Sequence, residues 1–396
     1  MTNSKNLSEN LPEVCPVAGH AELAWARQKS WVGVSERGYE VLGYDSGWEV
    51  ENSKETDKGG GFGIILDEVG LTDGPYRDEW NKQLVCHDGK ERERMRKPVE
   101  RLLRPGRIAK LQETVRTLIN GILDDIDDPS NVEFMSQFAE RLPTQLFCSL
   151  ISAPLELEGD IFRITSKINP PILTFDVAGV KASEAAYWEG LEIMRKYISA
   201  RRDNLTDDFT SEIIRCEQEG LLRADEVEGL AMMLLIASMD NTMHQIGLTF
   251  GTMLEDRTRW EQVLAKPTLA TKAAEETFRM CPRFNAIGRH APQDLPIHSF
   301  TFPAGSWIQV QTRACGRDEA KFENPDDFRL DRPAARSLQF GSVNYSCLGA
   351  TLARLEVVES IRIVSERFPN IRLSDKWEYE VGPLVTECKK LPVSLI

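Results

Sequence analysis

No stretch of this 396-residue chain stays apolar long enough to cross a bilayer. The longest mainly apolar run, Leu230 to Met239, is about half of the ~20 residues that a span requires. Met1 to Pro16 is polar and acidic and has no apolar targeting core, so the expectation is a cytoplasmic protein without a membrane anchor. Bulk positive charge is lacking as well. The 48 Lys and Arg are outnumbered by 62 Asp and Glu, and a net charge of −14 repels nucleic acid and anionic membranes. Cysteines 15, 86, 148, 216, 281, 315, 347 and 388 show no zinc-type or disulfide-framework spacing, as expected in a reducing cytosol. A phosphate loop is missing too. Gly59-Gly60-Gly61-Phe62-Gly63 is followed by neither Lys-Ser/Thr nor a helix start, and reads as a mobile loop.

What is present is mostly helical pattern. Trp31 to Glu51 alternates apolar and polar residues around glycines, which predicts two short strands in a hairpin and a helix near Asp45 to Lys54. Helices are predicted over 108–126, 133–152, 155–167, 180–203 and 208–219, with Pro170-Pro171 ending the third and Ile172 to Val180 forming a loop that carries Phe175. A long helix follows, from about Ala224 to Asp256. Its middle is apolar nearly all round and then abruptly polar, with Asp240, Asn241 and Thr242. Polar groups in a buried helix need partners and are often functional, although a satisfied core aspartate or a kink would look the same. Residues 1–20 read as a leader whose order the sequence leaves open, and 21–396 as one domain.

Cysteine supplies the sharpest signal. Phe340-Gly341, then Cys347-Leu348-Gly349, places one thiol at the mouth of the amphipathic run Ala350 to Phe368. A helix N-terminus offers unpaired N–H groups and a positive dipole end, which stabilise a thiolate as nucleophile or metal ligand. A cysteine taken blindly is more often buried and inert. Phe-Gly-x5-Cys-x-Gly followed by Ala350-x-Leu352-Ala353-Arg354-x-Glu356 resembles the heme-ligand loop of the cytochrome P-450 family, soluble bacterial type. The resemblance implies a mainly α fold with a minor β region, with heme between a long central helix and the cysteine-loop helix. It implies heme b (iron protoporphyrin IX) with Cys347 as iron ligand, Phe340 shielding the sulfur, and Gly341 and Gly349 allowing close backbone approach.

Four further landmarks follow in order. Asp88 to Arg104 is a basic helix, and aligning Asp88 with the family pattern puts Arg92 and Arg96 where a heme propionate is bound. The solvated-face reading, with Glu91, Glu93 and Glu100 in register, accounts for part of that charge. The outward Arg94, Arg101 and Arg104 are candidates for docking an acidic ferredoxin. Ala237-Ser238-Met239-Asp240-Asn241 matches the family's oxygen-binding groove, with Ala237 beside the heme. Asn241 stands where a proton-delivering threonine is usual, and Thr242 lies about 100° further round the helix. Glu276 and Arg279 match the family's buried structural pair, with Arg332 or Arg329 as third member. The spacing alone says little, since Glu91/Arg94, Glu192/Arg195, Glu212/Arg215 and Glu359/Arg362 repeat it. Arg289 takes the place of a second propionate-binding arginine.

Two departures lie in the cysteine loop: Val343 replaces a glycine, and Tyr345 replaces the His or Arg that binds a propionate, so one cationic contact is lost there. Pocket positions implied by the resemblance are Phe62, Ile65, Phe175, Asn285, Ala286, Ile287, Leu384 and Val385. The implied reaction is O2-dependent oxidation of a small-to-medium apolar substrate, with electrons from NAD(P)H through ferredoxin and ferredoxin reductase. Alternatives are an atypical outcome of the same fold (C–C or C–N coupling, O-dealkylation, peroxide-driven oxidation) or a non-catalytic heme-thiolate sensor or carrier.

Overall fold

The computed structural model describes residues 11–342 and 345–396. Contacts divide the chain into two compact units, Met1–Gly59 with Glu261–Cys347 and Tyr379–Glu387, and Gly60–Trp260 with Leu348–Glu378 and Cys388–Ile396. Each is built around a different kind of core.

The first unit is organised by sheet. Strands β1 (Val32–Ser35), β2 (Gly38–Val41), β3 (Ala286–Ala291), β4 (Leu295–Ile297), β5 (Phe300–Phe302) and β6 (Ser306–Gln311) are short and rich in β-branched and aromatic residues. β1 and β2 form the expected hairpin, β2 runs parallel to β6, and β3 runs antiparallel to β6 with Arg289 opposite Ile308. Alternation sends Val32, Tyr39, Val41, Ile308 and Val310 to one buried cluster, joined by Phe302 from the β4–β5 hairpin. Tyr39 meets Phe300 and Phe302 edge-on, each at 5.4 Å. Within residues 11–20, Val14 is buried and its N–H donates to Val34 O at 2.8 Å. The helix Tyr44–Asn52 follows β2, and Asp318 accepts from the Tyr44 N–H at 2.8 Å.

The second unit is helical. Its axis is the helix Ala224–Leu254, which spans ~46 Å at 1.5 Å per residue. Glu226 caps it, accepting from the Arg223 N–H at 2.7 Å and pairing with Arg94. The helix Ala350–Arg367 packs against this axis, as do Arg141–Leu150 and Glu158–Leu173. Phe134, Phe138, Phe250 and Trp260 form a stacked buried group, with Phe134 and Phe250 at 4.7 Å. A Cβ at Gly251 would lie 2.4 Å from the Trp377 ring, so that close approach needs glycine. Among the described residues no helix is long and apolar enough to cross a membrane.

Two local expectations are corrected. The double proline does not end a helix: Glu158–Leu173 runs through Pro170 and Pro171. The carbonyls those prolines leave without donors, on Ser166 and Lys167, lie on half-buried and exposed positions where water can bond them. Only Thr174 to Asp176 and one turn remain before the helix Val180–Arg202. The glycine run is likewise followed by a helix start, Gly63–Glu68, although no Lys-Ser/Thr accompanies it.

Candidate active site

In the sheet-based unit, the cysteine loop is fixed by its own backbone. Leu338–Phe340 forms one helical turn, and Gly341 then takes φ +62°, where a Cβ would meet Tyr345 O at 2.8 Å. The Cys347 N–H returns to Phe340 O at 2.7 Å. The thiol that results is exposed, not disulfide-bonded, and three residues ahead of Ala350, with Gly349 at the N-cap. Phe340 meets Phe278 edge-on at 5.5 Å. The expected departure at Val343 lies outside the described residues. Tyr345 faces Arg289, whose guanidinium carbon stands 4.9 Å from the ring centroid. Arg289 is wholly buried on β3.

Behind this loop the Glu276 carboxylate takes Arg279 Nη2 at 2.7 Å, Arg332 Nε at 2.9 Å and the Arg329 N–H at 2.9 Å. Arg332 is therefore the side-chain partner. Arg329 contributes its backbone and turns its side chain to Asp331 and Glu323. Asn285 is held by neighbouring backbone and side chain. It is fully buried, with Nδ2 bonded to Gly382 O at 2.7 Å and Oδ1 to the Thr386 hydroxyl at 2.6 Å. Ala286 and Val385 are also buried, whereas Ile287 and Leu384 are half-exposed.

Sequence reasoning passed over Glu51, which is 2 % exposed with neither carboxylate oxygen hydrogen-bonded. Burial pushes its carboxyl up to about 7, against the opposing pull of Arg289, Lys58 and Arg336. The folded chain thus holds this proton more tightly than the unfolded chain, whose carboxyl titrates near 4.5. Its contribution is full below that lower value and is lost as pH rises through about 7, roughly 3 kcal/mol in all. Glu51→Gln is therefore expected to flatten the fall in unfolding midpoint between about pH 5 and about pH 8. An identical fall in variant and wild type sinks the assignment.

In the helical unit, the long helix is open at its middle. Ala237 is exposed and Leu234, Ser238 and Asn241 are half-buried, one helical face between fully buried neighbours. Asn241 Oδ1 is buried without a hydrogen-bond partner. Thr242 is buried on another face, as the turn angle requires. Asp240 is 2 % exposed, and its Oδ1 lies 3.7 Å from His244 Nε2. His244, one turn on, was missed; only its i,i+4 spacing from Asp240 marks it. Its Nδ1 is 3.2 Å from Cys388 O.

The basic helix Gly89–Leu102 is N-capped by Asp88, and its arginines split in role. Arg92 donates to Leu84 O at 3.1 Å, and Arg96 to Glu100 at 2.8 Å. Arg94 and Arg101 do not form a free basic patch: Arg94 pairs with Glu91 and buried Glu226, and Arg101 with Glu212 and Glu219. Lys90, Lys97 and Arg104 remain exposed. Phe62 stacks on Trp80 at 5.2 Å, Ile65 is half-buried on the short helix, and Phe175, also half-buried, has φ +59°.

A mainly helical chain with an accessible cysteine three residues ahead of a helix, and with a buried Glu-Arg-Arg network, has the build of a heme-thiolate oxygenase. The family model for cytochrome P-450 matches residues 183–368. Luteothin monooxygenase of Streptomyces thioluteus is 28% identical over 366 residues, 91% of this chain and 89% of that protein. The 6-deoxyerythronolide B hydroxylase of Saccharopolyspora erythraea is 27% identical, covering 76% of this chain and 75% of its own length. Among solved structures, CalO2 shares 18% identity but superposes with a TM-score of 0.89 over 96% of this chain and 98% of that one. The chain is thus similar to bacterial monooxygenases of the cytochrome P-450 family, and it shares the fold of CalO2. The family's cofactor is heme, and the residues present fit it. An accessible thiol suits an iron, and a buried guanidinium stacked on a phenol suits a group that carries carboxylates.

Proposed function

We propose that the protein hydroxylates or otherwise oxidises a small-to-medium apolar organic substrate, with Cys347 as the thiolate ligand of heme b. The observation that carries this reading is the exposed, uncrosslinked Cys347 held three residues before a helix. When bound, the heme supplies O2 binding and reductive O–O cleavage, which thiolate donation favours. Arg92, Arg96 and Arg289 would hold its propionates, and Gly349 would let the backbone approach it. NAD(P)H-derived electrons would arrive through a ferredoxin and its reductase, with Lys90, Lys97 and Arg104 as the exposed cations that remain to meet an acidic partner. The names of the two curated relatives support a natural-product intermediate as substrate. Phe62, Ile65, Phe175, Ile287 and Leu384 are the candidate apolar contacts.

Proton supply follows from the long helix. Asp240 is buried, with its Oδ1 3.7 Å from His244 Nε2. Asn241 offers an amide on the open face, which anchors a water but cannot relay a proton as a hydroxyl does. The relay therefore runs through a water at Asn241, or through a polar group of the substrate. Asn241→Thr is expected to change the fraction of NAD(P)H electrons recovered in product rather than in peroxide, by about threefold or more, within the range for one proton-transfer group. Unchanged coupling and an unchanged product profile would rule this relay out. Product mass with labelled dioxygen tests the reaction class, since oxidative coupling incorporates no oxygen.

A further inference from the structure

One turn in the sheet-based unit is fixed by polar bonds more than by burial. Gly382, Pro383 and Leu384 are half-exposed, so little apolar surface is buried to hold them in place. Every carbonyl from Gly382 to Val385 nevertheless accepts a hydrogen bond. Asn285 Nδ2 donates to Gly382 O at 2.7 Å, and Arg37 Nη1 to Pro383 O at 2.7 Å. The Asn285 N–H donates to Leu384 O at 2.8 Å, and the Gly382 N–H to Val385 O at 2.8 Å. The two side chains come from 97 and 346 residues away. Arg37, between β1 and β2, is itself aimed. Its Nε and Nη2 donate to Glu40 Oε1 at 3.2 Å and 2.9 Å, and the Ser35 hydroxyl donates to the same oxygen at 2.6 Å. Gln311 Nε2 takes Glu40 Oε2 at 2.9 Å. Glu40 is wholly buried on β2 and Gln311 on β6. A guanidinium is a rigid planar fork, so two nitrogens fixed on Glu40 direct the third, and the sheet sets where Pro383 O stands. The next residue is Leu384, a candidate apolar contact for substrate.

We propose that Arg37 is a positioning residue: by bonding Pro383 O it fixes Leu384, and so helps decide which apolar ligands the site accepts. The inference rests on the heme-thiolate reading and on Leu384 as a ligand contact. It adds a determinant of specificity that acts from behind that contact, through the backbone of a neighbouring residue. Pro383 passes the placement on with little slack, because its ring confines φ to about −65°.

The experiment titrates the purified holoprotein with imidazole and with clotrimazole, a bulky apolar azole, and follows the absorbance change as each azole nitrogen binds the iron. In Arg37→Met the ratio of the two dissociation constants is expected to shift by about fivefold against clotrimazole, because a loosened turn must be ordered on binding. Arg37→Met strands the buried Glu40 carboxylate. Arg37→Met combined with Glu40→Gln leaves no unpaired charge and should show the same shift in a more stable protein. Leu384→Ala should move the ratio as well, and adding Arg37→Met to it should then change nothing further, since both act through one side chain. A general loss of stability would not cancel in that way. A ratio within about twofold of wild type in both Arg37 variants overturns the proposal, as do effects of Arg37→Met and Leu384→Ala that simply add. A wild-type ratio in Leu384→Ala overturns it too, because Leu384 then meets no ligand. A wild-type protein that purifies without heme-thiolate absorbance would instead overturn the underlying reading, so the two failures are distinct.

Discussion

Cys347→Ala is expected to abolish the long-wavelength absorbance of the reduced, carbon-monoxide-treated protein, and with it all turnover. The expectation rests on position, since Cys347 is exposed three residues ahead of the helix Ala350–Arg367, and on burial, which disfavours a thiolate at most of the other cysteines. Burial pushes the thiols of Cys148 and Cys216 up to about 11 and that of Cys86 to about 12, while fully buried Cys315 lies well above its ordinary value. At neutral pH a thiol titrating near 11 is thiolate in only about one molecule in ten thousand. Cys388 is buried as well. The substitution should leave the loop in place. The bond from the Cys347 N–H to Phe340 O is backbone to backbone, and Gly341 sets the turn. Far-ultraviolet circular dichroism is therefore expected to match wild type while the absorbance is lost. Survival of the thiolate signature in a folded Cys347→Ala protein would end the assignment of this residue, and of the chemistry built on it.

How much of this could be read from residues alone depended on how local the cause was. The β1–β2 hairpin and the long helix were legible because alternation and helical periodicity are imposed within each element. The helix through Pro170 and Pro171 was not. Whether a missing N–H is tolerated depends on which face the orphaned carbonyls occupy, which neighbouring helices decide. The charges of the basic helix were visible but their partners were not: Glu226 lies 132 residues from Arg94. Asn285 was expected in the pocket from its position in a family pattern; that its amide bonds Gly382 O and the Thr386 hydroxyl, about a hundred residues away, no spacing reveals. His244 shows the opposite failure, since its spacing from Asp240 was plain but a lone histidine on an apolar helix attracts no attention. Choosing between Arg332 and Arg329 required knowing which guanidinium points inward. Val343 stays an expectation.

The same contrast governs Glu276 and Arg279, whose substitution should cost the protein its fold rather than one step of its chemistry. In Glu359 and Arg362 the arginine side chain is 34% exposed, and in Glu91 and Arg94 both partners are accessible, so water can replace the lost contact. At 276 and 279 the side chains are 5% and 7% exposed. Arg279 also donates to the carbonyls of Gly316 at 2.6 Å and Pro325 at 2.7 Å, and Arg332 to that of Asn324 at 2.7 Å, so the network ties the loop segments behind Cys347 to the helix Ala270–Met280. Burial pushes the Glu276 carboxyl up, but the bonds from Arg279, the Arg329 N–H and Arg332 outweigh it and hold the carboxyl below its ordinary value. Its contribution is thus present at neutral pH and is lost only as acid protonates the folded carboxylate. Glu276→Ala leaves two buried guanidiniums facing each other, a loss on the order of 3–5 kcal/mol from a total of roughly 5–15. The expected result is a denaturant midpoint lowered by about a third or more, and poor heme retention. Replacing all three members with apolar residues, Glu276→Leu with Arg279→Leu and Arg332→Met, should cost less than three times the single loss, because no buried charge then stays unpaired. A Glu276→Ala protein within about 0.5 kcal/mol of wild type in denaturant unfolding would show that the network is dispensable.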